Sequence, residues 1–393
     1  MTAPQQKGEN AGFDICPMGG PVMVVLLCRR IGSLKQCALR LLNSITAITI
    51  PLFKRGEFSV VSVRFRFRFQ FCSALICAFW LAGAGIARAE AACVSIPPMP
   101  TLELRSMYSD SKGSVINSGN EETNSEIMDP IFAFFRTMER ALDGGNARPG
   151  NPESDCAFQL FGEWATVGAL TSEPQVYEGQ GKVKRGLLNP GFQMIGIKFR
   201  AAGYVLDGTM LAWLRKMDQE NVEFYAKGTN RANQRVWAAT GAALNNILER
   251  DPVALAFQDQ VWHEALAAID NNGFIAAELS RGQQALVYHI YSLSATLVLE
   301  TARNALGYKE SAEERQKLQR LADATGQTLC DPRKMEDLAK AKIRIPDGQW
   351  AYEVTNGFGV DWSRCGPPPT DFNARDMGGD SRRSISILNS LRQ

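Results

Sequence analysis

The chain has 393 residues, 45% of them hydrophobic and 21% charged, with 34 Gly and 18 Pro, which excludes a collagen-like, low-complexity or wholly disordered polymer. Its formal charge of +2 hides a split. Residues 1–89 hold eleven Lys/Arg against three Asp/Glu, leaving 32 basic and 38 acidic residues from Glu90 onward, about −6. An acidic body with two histidines argues against bulk nucleic-acid binding and against a poly-histidine metal site.

Residues 1–62 show no globular periodicity and are expected to be an upstream extension outside the native protein. Residues 63–89 then present Arg64, Arg66 and Arg68, an apolar run from Phe71 to Ala87, and Ala87-Arg88-Ala89 ahead of Glu90. That order is a secretory signal peptide. Polar, acidic sequence follows without a stop-transfer cluster, so no stable membrane span is expected after cleavage. The expected compartment is the periplasm, and the mature domain is residues 90–393.

Four cysteines remain beyond the cleavage site: Cys93, Cys156, Cys330 and Cys365. Of three connectivities, the favoured one is Cys93–Cys156, tying down the N-terminal arm, with Cys330–Cys365; buried free thiols are the alternative. No CxxC pair occurs, so neither zinc nor redox chemistry is suggested.

From Glu90 the chain reads as an arm followed by a mobile loop at about 105–125, rich in Ser, Asp, Gly and Asn. Apolar residues at helical spacing then predict helices over 128–143, 156–171, 184–202, 207–226, 231–249, 252–270, 276–306 and 311–326. Strand-like alternation is nearly absent there. The fold class is all-α: helical hairpins closing into an incomplete α/α toroid, with no repeat of tetratricopeptide or ankyrin period. The segments on either side of Cys365 are irregular but aromatic.

Two clusters could carry chemistry. In ELSRGQQALVYHIY (278–291), Arg281 and Tyr288 lie two helical turns apart on one face, with Tyr291 three residues further. Spacing alone equally fits an amphipathic helix with Tyr288 in the core. In NRANQRVW (230–237), Asn230, Asn233 and Gln234 offer amides, Arg231 and Arg235 charge, and Trp237 a flat face; a plain helix start fits as well. His263 and His289 are assigned no metal, and no phosphate loop or nucleotide fingerprint occurs.

Together these segments carry a resemblance. DCAFQLFGEWATVGAL, NNGFIAAELSRGQQALVYHIYSL and the tail FNARDMGG are similar to the corresponding stretches of mannuronate-specific alginate lyases, secreted or periplasmic α/α toroids that cut poly-β-D-mannuronate by β-elimination. The resemblance implies that Arg281, Tyr288 and Asn233 stand on that family's catalytic arginine, tyrosine and asparagine. Where the family has histidine, this chain has Gln234. The stretch around Tyr108 resembles the family's lid loop, shorter and without the lysine before the tyrosine.

Elimination requires loss of the C5 proton beside a carboxylate, so donors must first neutralise that carboxylate. Asn233, Gln234 and Arg281 are suited to this. Tyr288 then serves as base and acid on one face of the sugar, provided that Arg281 brings its pKa below the usual value of about 10. Gln234 cannot abstract a proton, which points to mannuronate, with glucuronan an alternative substrate. The other function classes are a non-catalytic uronate-binding protein of the same fold and a helical scaffold for protein partners. Expected polyanion-binding cations are Lys182, Lys184, Arg185, Lys198, Arg200, Arg231 and Arg235. Trp164, Trp213 and Trp237 are expected sugar platforms, joined by Tyr108 and Tyr291. The expected partner is an anionic uronate polysaccharide, with no cofactor, no metal and no nucleic acid; the oligomeric state is left open, a monomer being favoured.

Overall fold

A computed structural model describes residues 48–54, 57–63, 93–110, 115–175, 178–227, 232–346 and 373–392. The chain divides into two units, Met1–Ala89 and Glu90–Gln393. Within the first, β1 (Ile48–Lys54) and β2 (Glu57–Val63) pair antiparallel from Ile48↔Val63 to Lys54↔Glu57. The hairpin lies at the end of the stretch expected to be an upstream extension. The strands are rich in β-branched residues. Pro51 is tolerated because both strands of a lone hairpin are edges.

The second unit is built of α1 (Ser118–Asp143), α2 (Pro152–Val167), α3 (Glu178–Ala201), α4 (Gly208–Ala226), α5 (Ala232–Leu248), α6 (Pro252–Ala268), α7 (Ala276–Leu279), α8 (Ala285–Ala305), α9 (Ala312–Cys330), α10 (Arg333–Ala339) and α11 (Ser381–Ser390). A short ribbon of β3 (Asn373–Ala374) and β4 (Gly379–Asp380) precedes α11. The expected helices are present with clear punctuation. Asn151 and Asp251 cap α2 and α6, each followed by Pro at the first helical position. Ser311 and Glu314 form a capping box on α9.

The two largest departures from the periodicity lie at α1 and in the 276–306 segment. α1 starts ten residues early, because the Asn117 side chain accepts from Asn120 N and the first turns are solvent-exposed, leaving no apolar period to read. The expected helix 276–306 is broken: α7 ends at Leu279, a 3-10 turn occupies Gly282–Gln284 with Gly282 at φ +58, and α8 begins at Ala285. Only glycine adopts that φ cheaply.

α5 packs against α3, α4, α6 and α8. Its buried face is Ala238, Ala239, Ala242 and Ala243 around Gly241, where a β-carbon would lie 2.1 Å from Asn189 Nδ2 of α3. Small side chains thus let the neighbouring helices approach closely. A second centre is aromatic, with Phe134 4.1 Å from Trp164 and Phe192 5.5 Å from Trp213, ring centre to ring centre.

The N-terminal arm is fixed. Cys93 and Cys156 form a disulfide with Cα atoms 5.2 Å apart, Trp164 Nε1 donates to Ile96 O at 2.9 Å, and Leu170 N donates to Met99 O at 2.7 Å. The expected mobile loop is partly a strapped one: Arg105 N donates to Asn124 Oδ1 and Asn124 Nδ2 returns a bond to Arg105 O, both 2.9 Å. Asn117 N donates to Met107 O at 3.0 Å. Cys330 is disulfide-bonded; its expected partner Cys365 lies outside the described residues.

Candidate active site

The N-terminal ends of α3, α5 and α8, the turn before α8 and the Tyr108 loop surround an open cleft of about 980 Å³. Asn233, Gln234, Arg281, Tyr288, Tyr291 and Tyr108 all line it. All six were named from the sequence, and the fold brings them to one cleft. The relation between Arg281 and Tyr288 has a different cause from the one expected. They are not two turns apart on one helix; the glycine turn carries Arg281 back over the start of α8, and its guanidinium carbon lies 4.6 Å from the centre of the Tyr288 ring. Tyr288 and Tyr291 do share α8, their ring centres 6.4 Å apart.

Above the phenol, the Tyr108 and Tyr288 hydroxyls share a hydrogen bond. Tyr108 is held there by an isolated β-bridge to Ile116. Burial pushes the Tyr288 pKa far above its ordinary 10.0, the bond to Tyr108 adds to the rise, and Arg281 opposes both. The expected net lowering by Arg281 is overturned: the guanidinium acts in the expected direction, but desolvation of the phenolate is larger.

Below the cations lies a residue the sequence reading missed. Glu278, on α7, is buried; its Oε1 accepts from Asn233 Nδ2 at 2.9 Å, from Asn233 N at 3.2 Å and from Ser292 Oγ at 3.3 Å. Its Oε2 stands 4.0 Å from Arg281 Nε and has no hydrogen bond. Burial raises its pKa, while Asn233 and Arg281 pull it down. A glutamate three residues before Arg281 in an otherwise apolar stretch was the available signal. Arg344 also lines the cleft unforeseen, its backbone N donating to Gln283 O at 2.9 Å; no helical period marked its segment. With Lys184, Arg281 and Arg344 facing Asp110 and Glu121, the cleft is locally less acidic than the body around it.

Several expected binding residues lie elsewhere. Trp164 and Trp237 are buried in the core, Trp164 bonded to Ile96 O and Trp237 edge-on to Tyr291 at 6.4 Å. Trp213 is likewise buried, donating to Ala169 O at 2.8 Å. Lys198 is buried with Nζ 2.7 Å from Asp143 Oδ1 and 2.8 Å from Gly378 O, so it ties α3 to α1 and to the β3–β4 ribbon. These four do not line the cleft: the indoles gain from burial, and Lys198 is drawn inward by Asp143 and the Gly378 carbonyl, which offset the cost of desolvating its charge. Arg185 pairs with Glu220 at 2.5 Å, Arg235 with Glu264 at 2.8 Å, and Lys182 with Glu173 at 2.7 Å; Arg200 donates to Leu248 O at 2.9 Å. Asn230 and Arg231 lie outside the described residues.

Neither histidine belongs to the cleft lining. His289 is buried, its Nε2 accepting from Ile275 N at 3.0 Å and its Nδ1 bonded to Ala285 O at 2.8 Å. Burial lowers its pKa to about 4, so it is a neutral structural imidazole. Among the described residues no group of three or more His, Cys, Asp or Glu is placed to hold a metal, and no helix is long and apolar enough to cross a membrane.

Residues 206–335 match the family model "Alginate lyase", a span containing every cleft residue from Asn233 to Tyr291. The chain is 24% identical over 251 residues to a polysaccharide lyase of Stenotrophomonas maltophilia, covering 63% of this chain and 76% of that protein. It is 25% identical over 278 residues to an alginate lyase of Pseudomonas putida, covering 67% and 74%. In structure it superposes on alginate lyase A1-III from Sphingomonas species A1 with a TM-score of 0.59 and 15% identity, over 75% of this chain and 85% of that one. A histidine-to-alanine variant of A1-III complexed with tetrasaccharide gives a TM-score of 0.61 over the same shares, also at 15% identity. The fold is thus the expected α/α toroid, and the protein is a polysaccharide-cleaving lyase. Within that class, the resemblance is to the alginate lyases, whose family model matches residues 206–335.

Proposed function

We propose that residues 90–393 cleave a 1,4-linked polyuronate, poly-β-D-mannuronate, by syn β-elimination, with Tyr288 as base and acid and with Asn233, Gln234 and Arg281 neutralising the substrate carboxylate. The observation that carries this reading is the convergence of two amides, a guanidinium and a stacked phenol on one open cleft.

At rest Tyr288 is a neutral phenol, held so by burial and by Tyr108. A sugar entering beneath Tyr108 breaks the phenol pair and leaves Arg281 to favour the phenolate. Donors on the carboxylate stabilise charge as it builds there. The Tyr288 oxygen removes the C5 proton, the C4–O4 bond breaks as a C4–C5 double bond forms, and the proton passes from Tyr288 to the leaving O4. One group performs both transfers only if the C5 proton and O4 share a face, as in mannuronate and glucuronate. Gln234 has no basic nitrogen to serve the opposite face, which disfavours guluronate. A solved neighbour, A1-III carrying a tyrosine-to-phenylalanine change, is described as complexed with tetrasaccharide, which agrees with an oligosaccharide ligand here.

The export pattern over residues 63–89 and the Cys93–Cys156 disulfide support a periplasmic location, with residues 1–62 outside the mature protein. The test is the ultraviolet absorbance of the unsaturated product when purified residues 90–393 meet polymannuronate, polyguluronate and glucuronan in turn. A rise with polymannuronate that Tyr288→Phe abolishes supports the reading. A rise with glucuronan alone reassigns the substrate, and a rise with polyguluronate alone rejects the one-tyrosine mechanism.

A further inference from the structure

Both donors that meet the substrate carboxylate lean on a third residue. Asn233 opens α5 and Arg281 lies in the turn before α8, so no shared element fixes their separation. The only group touching both among the described contacts is the Glu278 carboxylate, with Oε1 on Asn233 and Oε2 facing Arg281. An amide nitrogen has two hydrogens; the one given to Glu278 fixes the rotamer and leaves the other for a ligand in the cleft. Ser292 of α8 anchors the same carboxylate oxygen, so α5, α7 and α8 meet at one buried anion.

We propose that Glu278 is the positioning residue of this site: its carboxylate sets the orientation of Asn233 and the approach of Arg281, so that both aim at one substrate carboxylate. The inference rests on the polyuronate reading above. Glu278 touches no reacting atom; it acts through the two donors. Its cost is a buried charge, tolerated because three hydrogen bonds and a facing guanidinium compensate it. It also sets the field at the phenol. The charged and titratable groups around the Tyr288 hydroxyl are Tyr108, Arg281 and Glu278, with Lys184, Arg344, Asp110 and Glu121 elsewhere on the cleft wall. Of the first three, Glu278 is the anion that opposes formation of the phenolate.

The experiment compares the wild-type chain with Glu278→Gln, which keeps the size but not the charge, and with Glu278→Asp, which keeps the charge. Steady-state kinetics on polymannuronate are measured across pH, with melting temperature as the control for folding. Glu278→Gln is expected to lose about 10- to 100-fold in kcat/KM, the scale of a misplaced positioning contact, while the alkaline rise of its pH profile shifts to lower pH because an anion beside the phenol is gone. Glu278→Asp is expected to restore the wild-type position of that rise and part of the rate. A residue that merely fills space would lower the melting temperature without moving the profile. If the wild type cleaves and Glu278→Gln keeps kcat/KM within about twofold with an unmoved profile, the proposal is overturned and the lyase reading stands. If the wild type binds oligomannuronate without cleaving it, calorimetric affinity decides: an unchanged Kd in Glu278→Gln overturns the proposal, and a weakened one that Asp restores supports it. A wild type that neither cleaves nor binds any uronate polymer overturns both.

Discussion

Arg281 lies over the face of Tyr288, its guanidinium carbon 4.6 Å from the ring centre, while Tyr108 meets the hydroxyl at the ring's far end. The phenol is therefore gripped by opposing influences, a cation that favours its ionised form against burial and a hydroxyl partner that favour the neutral one. Replacing Arg281 by Ala removes the favourable influence, so the alkaline rise of activity moves to higher pH and kcat falls about 100-fold or more, the range seen when a charge-stabilising donor is lost. Lys at this position is expected to rescue poorly, because a point charge does not stack as a planar guanidinium does. The pH profile of both variants checks this.

Tyr288→Phe keeps the ring and its packing but removes the proton carrier. Activity is expected to drop about 100- to 10,000-fold, the usual contribution of general acid–base catalysis, with a melting temperature little changed, because only the hydrogen bond to Tyr108 is lost. Product absorbance and calorimetry on the same preparation test both halves.

Asp218 on α4 is fully buried beside Asn189, whose Nδ2 donates to it at 2.9 Å, and burial pushes its pKa up from 3.8 to about 8. A raised carboxyl contributes stability that is complete below its unfolded pKa and is lost as pH rises toward the folded one. At pH 7 the folded chain must therefore hold a proton that the unfolded chain releases, at a cost of about 4 kcal/mol. Asp218→Asn retains an oxygen for Asn189 and avoids that cost. It is expected to stabilise the protein by about 2–4 kcal/mol at pH 7 and by clearly less at pH 5. Urea unfolding at the two pH values is the measurement, and a gain equal at both would contradict the assignment.

Lys198 distinguishes structure from binding. Replacing it by Met leaves Asp143 buried without its cation, which is expected to cost about 3–5 kcal/mol. KM for the polymer should stay within about twofold, since Lys198 does not reach the cleft. A large rise in KM with little change in stability would return Lys198 to the binding surface.

The helices and the cleft cations were legible in sequence to different degrees. Apolar period gave most of the toroid, but it ran straight through Ser280–Gln284, since one glycine among helix formers does not interrupt a pattern of Leu and Tyr. The resemblance nevertheless named Arg281 and Tyr288 together, and the structure sets one over the other. Spacing had assigned them one helical face, whereas a left-handed glycine turn brings them together. The indoles failed for the opposite reason. Trp164, Trp213 and Trp237 sit on helix faces whose burial the period itself implied, and each was read as a sugar platform although its natural place was the core. Glu278 escaped notice because a lone carboxylate reads as a solvated charge until the fold closes over it.

The disulfide at the start of the arm has a reach beyond α2. Cys93–Cys156 closes a loop with a sequence separation of 63, and on chain-entropy grounds contributes about 4 kcal/mol. That loop contains Tyr108 and the whole of α1. Reduction, or Cys93→Ser, is therefore expected to lower the melting temperature clearly and to raise KM modestly, because the Tyr108 loop keeps its own hydrogen bonds when the tether of the arm is cut. A reducing agent therefore acts on the tether of the cleft's roof, while α3, α5 and α8, which form its walls, carry neither residue of that bond.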